Sequence, residues 1–162
     1  YHFHGPTSQA EGTTKKFAEG LQSIPAFVPI NKPENVKTLS DIHLQHFGAG
    51  EKVVRQGVLN SALYVVISGK ASMLLIDETG QKHEVLLLKA GEFFGEMSLL
   101  SGEPSPTSIV AVEDLEVMML PINVVNQMIE RQPSFAREIS QILETRRRTI
   151  QSIRKAAQTQ FH

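Results

Sequence analysis

The chain has no cysteine. That excludes a disulfide scaffold, a thiolate metal site and a cysteine nucleophile, and it allows a reducing compartment. Long hydrophobic runs are also missing. The longest, Leu63 to Ile67 and Val85 to Leu88, are far too short to cross a bilayer. No stretch has the charged, apolar and small-residue order of a secretory signal peptide. Neither charge sign dominates: 16 Lys and Arg stand against 17 Asp and Glu, a net charge of -1. No global field therefore pulls the chain toward nucleic acid or an anionic membrane. Internal repeats, low-complexity tracts, a Walker-type loop and a nucleophile–base pair are absent as well, so an enzyme is not expected.

What is present is one ordinary domain. Its 162 residues, 41 % of them hydrophobic, suffice to bury a core. The first residue is Tyr1, and residues 1–12 read as a linker or the tail of a preceding domain. Tyr1 to His4 resembles a strand end, and Gly5 to Gly12 is small and polar. His2 and His4 share a strand face, but two histidines cannot close a metal site. The domain proper is expected over residues 13–162. Lys15 to Ile24 reads as a short helix with Phe17, Leu21 and Ile24 on one face, stopped by Pro25. A second helical stretch is expected between Pro33 and Leu39, capped by Asn31.

From about residue 42 to 120 the chain becomes a series of short aliphatic runs: His43 to Phe47, Lys52 to Arg55, Ala62 to Ser68, Ala71 to Asp77, His83 to Leu88, Ser108 to Ala111 and Glu116 to Leu120. Gly and Asp/Asn signals separate them, and Glu78-Thr79-Gly80 reads as a hairpin loop. This spacing predicts an all-β sandwich or barrel. After Pro121 the period turns helical, with one helix over Ile122 to Arg131. Pro133 and Ser134 mark a restart, and a long helix is expected from about Phe135 to Gln158.

Gly91 to Pro104 fits neither a clean strand nor a long helix. Gly95 to Leu100 suits a single helical turn packed on the barrel. Backbone N–H groups at the start of such a turn form an anion cradle, and Gly95 permits close approach of a ligand. Glu96 beside it can accept a hydroxyl's hydrogen bond. Together these suit a ribose phosphate.

Four segments then carry a resemblance: Phe47-Gly48-Ala49-Gly50-Glu51, Arg55-Gln56-Gly57, Leu63 to Gly69, and Gly91 to Leu100. From roughly Phe17 to Gln158 the chain resembles the cyclic nucleotide-binding family of bacterial catabolite activators, kinase regulatory subunits and nucleotide-gated channels. The resemblance implies a mainly β fold, a jelly-roll barrel (double-stranded β-helix) with N-terminal helices and a long C-terminal helix. It implies a regulatory domain that binds cAMP or cGMP, needs no cofactor and gates an effector in the same chain. It places Glu96 on the ribose 2′-hydroxyl. Phe94, Gly95, Met97 and Ser98 fall at the cyclic-phosphate side, Val85 and Leu86 at the base, and the last helix over the base near Thr149, Ile150 and Gln151.

One departure bears on affinity. The family carries an arginine after the proline of its phosphate cassette, where this chain reads Pro104-Ser105-Pro106-Thr107-Ser108. The guanidinium contact is missing at Ser105, and Pro106 has no N–H to offer. Charged hydrogen bonds are worth ~1.5–3 kcal/mol, so the expected loss is roughly ten- to a hundredfold. The hydroxyls of Ser105, Thr107 and Ser108 compensate in part, and Ser105→Arg is expected to tighten binding. Arg55 is expected in an ion pair between strands.

Phe135, Ile139, Ile142, Leu143, Ile150 and Ile153 recur at helical spacing, a stripe that Arg146 interrupts. Arg146-Arg147-Arg148 and Arg154-Lys155 read as a solvated face rather than a DNA reader, because no recognition helix follows. The stripe packs on the barrel or pairs with a second copy. A ligand-sensing module is thus weighed against a ligand-free assembly domain and against the effector half of a transcription regulator. Tyr1 to Pro6 is similar to the tail of bacterial small-conductance mechanosensitive-type channels, which implies a cytoplasmic domain attached to a membrane protein, without membrane insertion of this segment.

Overall fold

A computed structural model describes residues 42–159. The two N-terminal helices and the His2/His4 segment expected from the sequence lie outside the described residues. Eight strands and three helices follow in order: β1 His43–Phe47, β2 Lys52–Val54, β3 Ala62–Ser68, β4 Ala71–Ile76, β5 Lys82–Leu88, β6 Phe93–Phe94, α1 Glu96–Ser101, β7 Ser108–Ala111, β8 Leu115–Pro121, α2 Ile122–Arg131 and α3 Pro133–Thr159. The strands form two antiparallel four-stranded sheets, ordered β1-β8-β3-β6 and β2-β7-β4-β5.

The sequence of β3 explains how the layers stack. Successive side chains on a strand point to opposite faces, and Ala-Leu-Tyr-Val-Val-Ile is apolar at almost every position, so both faces must be covered. Val66 turns inward with Phe94, Leu115 and Val117, meeting Val54, Met73, Leu88 and Ile109 of the second sheet. Leu63 and Val65 turn outward with Phe93, Met118 and Leu120, against Val124, Val125 and Met128 of α2 and Phe135 and Ile139 of α3. Each such fully buried side chain contributes roughly 1.5–3 kcal/mol.

The strand β6 has two residues and was not expected from the sequence. Its pairing with Tyr64 and Val65 of β3 is what defines it. It splits two adjacent phenylalanines between the faces. Phe94 stacks on Tyr64 with ring centroids 5.0 Å apart, and Phe93 faces the helices.

Pro133 opens α3 at the first helical position, where its missing N–H costs no intrahelical bond. At 1.5 Å per residue this helix runs about 40 Å. Its buried residues are Phe135, Ile139, Leu143, Arg146, Ile150 and Ala157. Leu143 and Ile150 close a third cluster with Leu75 of β4 and Met97 of α1, with Val85 and Ile153 at its edge. This cluster seats the second half of α3 over the segment between the sheets that the sequence singled out.

Candidate functional site

The chain enters α1 through Gly95, whose φ of 89° is left-handed. A side chain there is excluded by more than torsion. A Cβ would stand 2.5 Å from Asn60 Nδ2 and 2.8 Å from the Ala62 carbonyl oxygen. The space beside Gly95 is therefore filled by the β2–β3 connection. Toward its missing side chain Gly95 is thus closed by protein, while its backbone lines the hollow described below.

That connection is tied to the cassette at several points. The Asn60 N–H donates to Ser98 Oγ at 2.9 Å, and Asn60 Nδ2 donates to the Ala62 carbonyl at 2.6 Å. The Gly57 N–H donates to the Ser105 carbonyl at 2.8 Å, and the Ser105 N–H to the Val58 carbonyl at 2.9 Å. Ser105 Oγ donates to the Thr107 carbonyl at 2.8 Å, and Ser108 Oγ accepts from the Gln56 N–H at 2.9 Å. Of the hydroxyls expected to offset the missing arginine, those of Ser105 and Ser108 thus hold the protein's own backbone, as does that of Ser98. Gln56 and Asn60 take part in this tethering; neither is singled out from sequence for such a role, although Gln56 lies in the Arg55-Gln56-Gly57 segment.

Between α1 and β7 lies a hollow lined by Met73, Gly95 to Ser98, Ser105 to Thr107 and Ile109, with a volume of about 10 Å³. That is the lower limit for one water molecule. Glu96, Met97, Ser98, Ser105 and Thr107, all singled out from sequence, do meet there. Phe94 does not; it is a barrel-core residue stacked on Tyr64. Val85 packs beside Met97 and Ile150 beneath α3. Leu86 instead lines a groove of about 360 Å³ on the other side of Arg146, with Phe93, Ile142 and Thr145.

The strongest contact in the site joins α1 to α3 across 50 residues. Arg146 Nη1 donates to Glu96 Oε1 at 2.9 Å, with side chains only 7 % and 2 % exposed. The guanidinium carbon also sits 5.1 Å from the centre of the Phe93 ring, a cation–π contact. Arg146 neither interrupts the apolar stripe nor belongs to a solvated face. The spacing Ile139, Leu143, Arg146, Ile150 puts it on the buried side, and its charge is tolerated there because Glu96 neutralises it. That spacing was the one available signal.

Other expectations for basic and polar groups are settled individually. Arg55 is exposed, and no ion pair to it exists among the described residues; the expected inter-strand pair is not formed. Arg148 is exposed. Thr149 is exposed and its hydroxyl donates to the Thr145 carbonyl, whereas Ile150 and Gln151 line a groove between α3 and the 101–106 loop. Among the described residues no cluster of three or more His, Asp or Glu is placed to hold a metal, and no helix is long and apolar enough to cross a membrane.

Residues 44–132 match the family model described as cyclic nucleotide-binding domain. The chain is 38% identical over 117 residues to the cyclic AMP receptor protein of Thermus thermophilus, covering 72% of this chain and 54% of that protein. It is 30% identical over 100 residues to the cAMP-dependent protein kinase regulatory subunit of Blastocladiella emersonii, covering 62% of this chain and 25% of that protein. The crystal structure of the Thermus thermophilus catabolite activator protein superposes with a TM-score of 0.66 at 37% identity, over 76% of this chain and 58% of that one. The chain thus spans about half the length of the first relative and a quarter of the second. The family match ends at Gln132, before α3 begins.

Proposed function

Because this chain belongs to the cyclic nucleotide-binding domain family, we propose that it senses a cyclic nucleotide between α1 and α3 and passes occupancy to an effector in the same chain. The supporting observation is the Glu96–Arg146 bond. Glu96 is the carboxylate suited to a ribose hydroxyl, and its present partner is a side chain of α3. A hydroxyl that engages Glu96 must share or displace that bond. Ligand affinity for the cassette thereby becomes a bias on the position of α3. The residues proposed to touch ligand are Glu96, Met97, Ser98 and Thr107 in the hollow, with Val85 and Ile150 toward the base. The hollow must widen for them to do so.

Calorimetric titration with cAMP, cGMP and cyclic dinucleotides tests the reading, paired with hydrogen exchange along α3. The expected result is weak cAMP binding with altered protection between residues 143 and 153. No heat and no exchange change with any of the three ligand classes would sink it. That outcome would favour a second reading, a ligand-free assembly domain, which the closed hollow and its internally bonded hydroxyls support.

For the effector, two classes are proposed. A DNA-binding regulator is suggested by the similarity to a cyclic AMP receptor protein, and a channel by the resemblance of Tyr1 to Pro6. In either case Arg146 is unavailable to DNA, being buried on Glu96. Pairing of two copies through the exposed side of α3 is part of the proposal, and sedimentation measures it.

A further inference from the structure

The phosphate cassette of this chain has few groups left to offer an anion. It has no arginine, Pro106 has no N–H, the Ser105 hydroxyl donates to the Thr107 carbonyl, and those of Ser98 and Ser108 are held by backbone N–H groups of the β2–β3 connection. One helix face away, a groove of about 220 Å³ opens between the 101–106 loop and α3. Arg147 and Arg154 line it from the helix side, and Met97 and Ile150 form an apolar wall. The two arginines are seven residues apart, so they share a face, with α-carbons about 10 Å apart along the axis. Their long stems let both heads reach one anion between them. Neither forms an ion pair among the described residues, although Arg147 is half-buried. The acid that lines this groove, Glu103, is exposed.

A half-buried guanidinium without a carboxylate partner, paired with a second on the same groove, is a cation pair with unused hydrogen-bonding capacity. We propose that this groove is the phosphate-receiving subsite of the nucleotide site, Arg147 and Arg154 taking the place of the arginine that Ser105 replaces. The inference rests on the nucleotide-sensing reading above. The ligand class is a nucleotide whose phosphate lies against α3 and whose base or sugar covers Met97 and Ile150. Planar forks that can hold two phosphate oxygens each make this arrangement favour a charged phosphate over a neutral nucleoside. Both arginines lie on α3, outside residues 44–132 that the family model matches.

The test follows the arginine Nε–H resonances of the 162-residue chain while cAMP, adenosine and inorganic phosphate are added separately. The comparison chains are Arg147→Gln/Arg154→Gln and, as a control, Arg148→Gln; equal melting temperatures verify that the variants are folded. cAMP is expected to shift both Arg147 and Arg154 and to bind tighter than adenosine. The double variant should lose roughly ten- to a hundredfold in cAMP affinity and become indifferent to the phosphate, while Arg148→Gln leaves binding unchanged. The salt dependence of cAMP binding should flatten in the double variant. Full cAMP affinity in the double variant overturns the subsite. So does silence of both arginines with cAMP and with inorganic phosphate. If inorganic phosphate alone shifts them and no cyclic nucleotide binds, the anion subsite stands and the cyclic-nucleotide reading falls.

Discussion

Replacing Arg146 by alanine is expected to be among the most damaging single changes in α3. The guanidinium lies almost wholly out of water, bonded to Glu96 at 2.9 Å and seated over Phe93. Alanine removes the cation and leaves the Glu96 carboxylate buried without its partner. Breaking a buried pair in this way costs about 3–5 kcal/mol. The lost cation–π contact, ~0.5–2 kcal/mol in isolation, overlaps with that figure because the groups touch. For a domain of this size each kcal/mol moves the melting temperature by about 3 °C, so a drop of roughly 10–15 °C is expected. Urea unfolding with an unchanged slope would assign the loss to stability rather than to a different unfolded state. The double variant Arg146→Met/Glu96→Leu removes both charges and should recover most of the loss. Arg148→Ala, on an exposed position, should stay within about 0.5 kcal/mol of wild type. A loss below about 1 kcal/mol for Arg146→Ala, or a double variant as unstable as the single, would refute the buried-pair reasoning.

Gly95→Ala is expected to destabilise by more than the roughly 1–3 kcal/mol of a left-handed alanine alone, because the new Cβ collides with Asn60 and Ala62; a melting curve matching wild type would contradict this. The Asp77 carboxyl is held well below the usual carboxylate range, first by the Thr79 hydroxyl, then by His83, with backbone N–H groups of Thr79 and Gln81 adding to it. Its stabilising effect is therefore complete above the unfolded pKa of about 3.9 and fades as pH falls below that value toward the folded one. The stability gap between wild type and Asp77→Asn should narrow between about pH 5 and pH 2, and a gap independent of pH would count against it. Ser105→Arg separates two placements of the phosphate by titration with cAMP. A cassette-held phosphate gives the roughly ten- to hundredfold gain expected from sequence, whereas a phosphate on Arg147 and Arg154 gives at most a few-fold change, which is the result now expected.

The short aliphatic runs and the glycine-marked turns between them made the barrel legible, because strand-length apolar runs and left-handed turns are local properties of the chain. The same holds for α2, read from its period over Ile122 to Arg131, and for the short helix after Gly95. The segment that gathers Glu96, Met97 and Ser98 was also visible, since its motif is contiguous. What local pattern could not show was who their partners are. β6 exists because Tyr64 and Val65 lie alongside two phenylalanines nearly thirty residues away. The hydroxyls of Ser105 and Ser108, expected to face a ligand, are bonded to the Thr107 carbonyl and the Gln56 N–H in the fold. Arg146 looked like an interruption of an apolar stripe, since a charge on a helix face is costly to bury unless its counter-ion is known. That counter-ion comes from Glu96, 50 positions earlier. Local sequence sets backbone period and turn chirality, while the identity of a buried charge's partner depends on which surfaces the chain folds together, and only the tertiary structure decides that.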